Sequence, residues 1–160
     1  MSKDVEKDGI VDGLANADSF SIEEEWAAPP IIPAGVYHAK VTKVTYDPEQ
    51  VCVVFQFTLQ DNGGLMDDGV TALDGNSIFN RVWLPKPIDS TELTKNGKSK
   101  RVVKIDMMKR FADQLHINMN TPQAINLALA NQEWVGIEAD IEVTFREYEG
   151  KMYNDIRKVL

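Results

Sequence analysis

Residues that build metal and redox centres are scarce in this sequence. It contains one cysteine, Cys52, and two histidines, His38 and His116, among 160 residues. An intramolecular disulfide and a cysteine-rich zinc site are therefore excluded. No apolar run approaches the roughly 18 residues of a membrane span, and the opening MSKDVEKDG is charged where a signal peptide is apolar. No G-x-G-x-x-G occurs, and Gly63-Gly64 lacks the lysine that a phosphate-cradling loop places after its glycines. The carboxylates Asp61, Asp67, Asp68 and Asp74 lack both the DxDxDG spacing and the closing glutamate of a calcium loop, so they read as a solvated loop. Bases are also in the minority, with 17 Lys and Arg against 25 Asp and Glu and a formal charge of −8. Taken whole, that balance opposes a protein that coats a polyanion. What is present is 43% hydrophobic residues, enough for one domain of ordinary size with a core that needs no covalent staple. A soluble, intracellular protein is expected.

The charge is unevenly distributed. Residues 1–28 hold eight acids against two bases, a net of −6, leaving only −2 for residues 29–160. The first segment has two glycines and no sustained period of 2 or 3.6, and is expected to be a disordered acidic tail. Pro29, Pro30 and Pro33 around Ile31 and Ile32 favour a stiff, extended connector, and the folded domain is expected to span 29–160. Within it, residues 81–110 carry nine bases against Asp89, Glu92 and Asp106, a local +6. An acidic chain can thus present a basic face.

Hydrophobic periodicity predicts the elements. GVYHAKVTKVTY, from Gly35 to Tyr46, has Tyr37, Ala39 and Val41 alternating toward a core. After the Asp47-Pro48 turn, Val51, Val53, Phe55, Phe57 and Leu59 follow strict period two, the cleanest strand signal in the chain. A third strand, SIFNRVWL, alternates Ile78, Asn80, Val82 and Leu84 with Phe79, Arg81 and Trp83, and ends at Pro85 and Pro87. The segment LTKNGKSKR has the composition of a mobile loop. Met107, Met108, Phe111, Ala112 and Leu115 then form the stripe of an amphipathic helix. Thr121 as N-cap and Pro122 at the first helical position predict a second helix that buries Ile125, Ala128 and Leu129. Ile137, Ala139, Ile141, Val143 and Phe145 alternate in a fourth strand, and Glu149-Gly150 turns into a fifth, MYNDIRKV. The expected fold is mainly β, α+β by content: a five-stranded, OB-fold-like barrel with a helical insertion between strands three and four. A plain α+β sheet with two covering helices gives the same string of elements.

Catalysis has no support in the residues. Neither histidine has Cys or His neighbours at ligand spacing, and Cys52 reads as a small buried hydrophobe on the strand face opposite Phe55 and Phe57. No enzyme activity, metal or cofactor is expected. What stands together is aromatic and basic. If Phe79, Arg81 and Trp83 face outward, they make a stacking platform with a cation at its middle; the plainer alternative packs both rings beneath a helix. Arg146, Tyr148, Lys151 and Tyr153 repeat the mixture at the terminal hairpin, and Tyr46 sits at the first hairpin loop. The tract Lys95, Lys98, Lys100 and Arg101 is either a source of phosphate contacts or a solvated loop.

PAGVYHAKV, FQFTL, IFNRVWL, KRFADQLHI, WVGIEADIEVTF and YEGKMYNDIRKV occur in an order that resembles the single-stranded-DNA-binding proteins of tailed bacteriophages, from about Pro33 to Val159. The resemblance implies an OB-fold, and sequence-independent, non-catalytic binding of single-stranded DNA in phage replication or recombination, in the cytoplasm of the infected host cell. Carried over by position, it implies contacts from Phe79, Arg81 and Trp83 and from Tyr148, Lys151, Tyr153 and Asn154. The competing reading is a phage protein-interaction or virion-associated module. Many such binding proteins end in an acidic tail that recruits replication partners, whereas here the last strand runs into the closing RKVL and the acid is N-terminal. Either the N-terminal acid recruits replication or recombination proteins, with Phe20, Ile22 and Trp26 as apolar anchors, or the natural chain continues beyond residue 160. The tail as a plain solubiliser, or as a competitor of DNA for the basic face, completes the alternatives.

Overall fold

The computed structural model describes residues 11–160. The architecture is mixed α+β and mainly β. Strands β1 (Gly35–Asp47), β2 (Cys52–Leu59), β3 (Ser77–Trp83), β4 (Glu138–Tyr148) and β5 (Lys151–Val159) form one antiparallel sheet in the order β3-β2-β1-β4-β5. The long central strand serves two neighbours, pairing with β4 over residues 35–40 and with β2 over 39–47. A register shift between Val41 and Lys43 leaves Thr42 as an extra residue, a bulge of the kind that bends a strand.

The alternating residues of β2 build the core. Val53, Phe55, Phe57 and Leu59 are buried together with Val41 and Val44 of β1, Ile78 and Val82 of β3, and Ile141 and Val143 of β4. Each large side chain so buried contributes roughly 1.5–3 kcal/mol. Helix α2 (Lys100–Leu115) adds Phe111, Ala112 and Leu115, and α3 (Pro122–Ala130) adds Ile125 and Ala128. Phe55 joins these layers, stacked on Trp134 at 5.6 Å and edge-on to Phe111 at 4.8 Å between ring centroids.

Both helix starts are capped by side chains. Thr121 Oγ1 accepts the Ala124 N–H at 3.1 Å with Pro122 at the first position, as its sequence predicts, although Leu129 is only partly buried. Ser99 Oγ accepts the Val102 N–H at 3.2 Å, so α2 begins two turns before the apolar stripe at Met107. Val102 and Ile105 in those turns are exposed, which is why no buried stripe announces them.

The expected barrel is corrected to an open sheet. β3 and β5 lie alongside one another without a hydrogen-bonded ladder. Met107, Met108 and Phe111 of α2 line a cleft together with residues 80–83 of β3 and 156–159 of β5.

The proline-rich connector is extended and strapped down. Asn154 of β5 accepts the Ile32 N–H and donates to the Ile32 carbonyl, both at 2.9 Å, and donates to the Thr144 carbonyl at 3.3 Å. Ile31 exchanges hydrogen bonds with Asp67, its N–H donating to the carboxylate at 2.9 Å and its carbonyl accepting the Asp67 N–H at 3.0 Å. Ile32 is thereby held in the core. Of the acidic segment, residues 1–10 lie outside the described residues. Residues 11–28 hold a 3-10 turn at Leu14–Asn16 and a one-turn helix, α1 (Ile22–Glu25). The Glu25 carboxylate reaches back to accept the Ser21 N–H at 2.7 Å, which closes that turn, and neither element buries a residue.

Removing the clamp leaves the Ile32 amide and carbonyl unpaired. Asn154→Ala should therefore lower unfolding free energy by about 1–3 kcal/mol in urea titration. Unchanged stability would show that the clamp contributes nothing to the fold.

Candidate nucleic-acid interface

Register decides which side chains of β3 reach solvent. Ile78, Asn80 and Val82 lie opposite Phe57, Phe55 and Val53 and so point to the core. Phe79, Arg81 and Trp83 lie opposite Gln56, Val54 and Cys52 on the other face. Phe79 is 54% exposed and Trp83 38%, so neither ring is sealed beneath a helix. Cys52, the cross-strand partner of Trp83, is fully buried, and that burial pushes its thiol up from its ordinary pKa.

A groove of about 1390 Å³ separates this face from the β4–β5 hairpin. Phe79 and Arg81 line one wall; Arg146, Lys151, Met152 and Tyr153 line the other; residues 26–31 of the connector border it. The Arg146 guanidinium sits 5.1 Å from the centroid of the Tyr153 ring and donates to Asp155 at 2.7 Å. The groove thus combines flat rings and cations, the two elements that bind unpaired nucleotides, and of the cations Arg146 is held in place by Tyr153 and Asp155. Carboxylates also border it. Asp67 is engaged by Ile31, and Asp68 accepts the Thr71 hydroxyl at 2.6 Å and the Val70 and Thr71 amides at 2.9 Å. Those bonds, the hydroxyl first, hold the Asp68 carboxyl below its ordinary pKa. With Glu149 and Asp155 there are four carboxylates against three cations, so the groove is not a positive channel.

The other expected contacts disperse. Tyr46 pairs with Val53 and therefore lies on the face opposite Phe79. Tyr148 is exposed at the far end of the hairpin, opposite Lys151, and does not line the groove. Lys95 and Lys98 sit in an exposed turn closed by the Thr94 N–H donating to the Lys98 carbonyl at 2.7 Å. Lys100 pairs with Glu92 at 3.5 Å, and Arg101 stands in the first turn of α2. The tract reaches neither the groove nor Trp83. Asn154 borders the groove, but its amide is engaged by the connector and Thr144. Met152 carries no signal of its own in the sequence, nor do Arg157 and Lys158, which face the cleft beside Trp83. The register shift between Glu142 and Val143 leaves Arg157 as an extra residue between Ile156 and Lys158, and it breaks the alternation that would send neighbouring side chains to opposite faces.

Away from the groove, His38 meets two carboxylates, with Nε2 2.8 Å from Glu138 and Nδ1 3.0 Å from Asp140. Both ring nitrogens are engaged, and neither is free to take a proton from a substrate. Among the described residues, no group of three or more His, Cys, Asp or Glu side chains is placed to hold a metal, and no helix is long and apolar enough to cross a membrane.

Comparison with protein-family models and with curated proteins finds no match for this chain.

Hydrogen bonding to Glu138 and then Asp140 favours the imidazolium and raises the His38 pKa above its ordinary 6.5. The stabilisation is fully present below pH 6.5 and is lost as pH rises through the raised folded value. An NMR titration should place His38 above 6.5, and Glu138→Gln should lower it. A His38 pKa unmoved by Glu138→Gln would contradict the pairing.

Proposed function

We propose that this protein binds single-stranded DNA without sequence preference and without catalysing a reaction, in phage DNA replication or recombination. The observation that carries the reading is the outward face of β3, where Phe79 and Trp83 flank Arg81 and remain open to solvent. Unpaired bases stack on such rings whatever their identity, and a cation between them meets the intervening phosphate. The Arg146–Tyr153 pair offers a second ring and cation across the groove.

An OB-fold reading is supported by the strand order, with β1 shared between β2 and β4 and the helices inserted between β3 and β4. In that architecture the face of the second and third strands, with the loops of the first and last hairpins, is the usual oligonucleotide surface. A protein-interaction or virion-associated module is the second reading, favoured by the four carboxylates that border the groove. Under the first reading the acidic segment, with Phe20, Ile22 and Trp26 exposed, would recruit replication or recombination proteins.

Fluorescence anisotropy should show oligothymidine binding well above that of a duplex of equal length. Log affinity should fall with log salt by about 0.7 for each phosphate neutralised. Phe79→Ala should cost about 1–3 kcal/mol of binding with the circular dichroism spectrum unchanged. Negligible binding of both nucleic acids at low salt would contradict the proposal and leave the interaction module.

A further inference from the structure

Trp83 does not look into the groove beside the hairpin. It faces a second, smaller cleft of about 380 Å³, walled by β3, α2 and the end of β5. Arg81 borders both cavities and so connects them. The cleft is lined by five cations, Arg81, Lys104, Arg110, Arg157 and Lys158, and by no carboxylate among the described residues.

The cations differ in freedom. Lys104 donates at 2.7 Å to Asp89, a buried carboxylate that also accepts the Lys86 N–H at 2.6 Å. This anchors the ammonium and fixes α2 against the Pro87–Ser90 turn. Arg110 pairs with Asp106 at 2.8 Å on the surface, where an arriving phosphate can exchange for the partner at small cost, and Arg157 pairs at 3.0 Å with the half-buried Glu142. Arg81 and Lys158 make no ion pair among the described residues. The apolar part of the wall is Trp83 with Met107 and Met108, a flat ring beside flexible, polarisable side chains that adapt to a planar guest. The volume is at the low end of the roughly 300–1,000 Å³ of small-molecule sites.

We propose that this cleft takes one nucleotide of the bound strand, its base against Trp83 and the two methionines and its phosphate on Arg81 and Lys158. The inference rests on the single-stranded-DNA reading above and deepens it. The strand leaves the groove past Arg81 and turns its backbone into the helix-walled cleft, not along the loop at Lys95–Arg101. The positive field that the mixed groove lacks is supplied here.

The test uses the full chain and oligothymidine carrying 5-iodouracil, photocrosslinked and mapped by mass spectrometry. Crosslinks are expected at Trp83, Met107 or Met108. Lys158→Glu combined with Arg110→Glu, both exposed positions, should weaken oligothymidine binding about tenfold. The salt slope should become shallower by about 0.7 for each phosphate no longer neutralised, with the circular dichroism spectrum unchanged. Crosslinks confined to Phe79 and Tyr153, with affinity and slope unchanged in the double variant, would overturn the cleft while leaving single-stranded-DNA binding intact. Crosslinks absent from the cleft, with Lys158 protected from acetylation by a polyglutamate peptide, would assign it to an acidic partner and overturn it equally. Wild-type protein that binds no oligothymidine at low salt would remove the functional reading and the cleft together.

Discussion

The pairing register of β2 with β3 is the constraint on which the remaining structure depends. Phe55 and Phe57 must point inward, because they carry the core that α2, α3 and Trp134 close. Their ladder partners Asn80 and Ile78 are thereby committed to the same side, and Phe79, Arg81 and Trp83 to the other. A slip of one residue would bury Arg81 and expose Ile78 and Val82, a change no part of the core would tolerate. The platform is thus a by-product of core packing and remains fixed as long as the core does. Phe79 and Trp83, partly exposed in one row with Arg81, are the feature on which the proposed function rests.

Electrostatics follows from placement more than from total charge. A chain of net −8 still carries a cleft whose charged lining, among the described residues, is all cationic, because the carboxylates that pair with those cations stand outside its walls. The Asp89–Lys104 pair matters most in this respect. It ties the early part of α2 to the turn after β3, and so sets the distance between helix and strand that opens the cleft. The Lys104 ammonium and the Lys86 N–H hold the Asp89 carboxyl below its ordinary pKa, so the tie persists well into acid and loosens only as pH falls through that lowered value.

Much of the sheet was legible from alternation, since period two on Val51–Leu59 and Ser77–Leu84 names both strands, although which way Phe79 and Trp83 face was left open until the register was known. The Thr121-Pro122 start was equally plain, because a cap and a first-turn proline act locally. Where sequence and structure part, the deciding interaction is distant. The bulge at Thr42 changes parity along β1, so inward positions shift from Tyr37, Ala39 and Val41 to Val44 and Tyr46, and Tyr46 lands on the wrong face for the platform. Asn154 holds a connector 122 residues away, which no local pattern records. The gathering of Trp83 with α2 and Lys158 is likewise a tertiary fact that no local pattern records.

Binding of the kind proposed requires unpaired nucleotides to meet the outer face of β3. The most direct measurement is a pair of nitrogen-15 NMR spectra of the chain, with and without oligothymidine, following the side-chain N–H signals of Arg81 and Trp83 against the indole of the buried Trp134. Shifts at Arg81 and Trp83 with Trp134 unmoved are the predicted result. Binding that leaves both outer-face signals in place, or shifts only residues on the opposite face of the sheet, would contradict it.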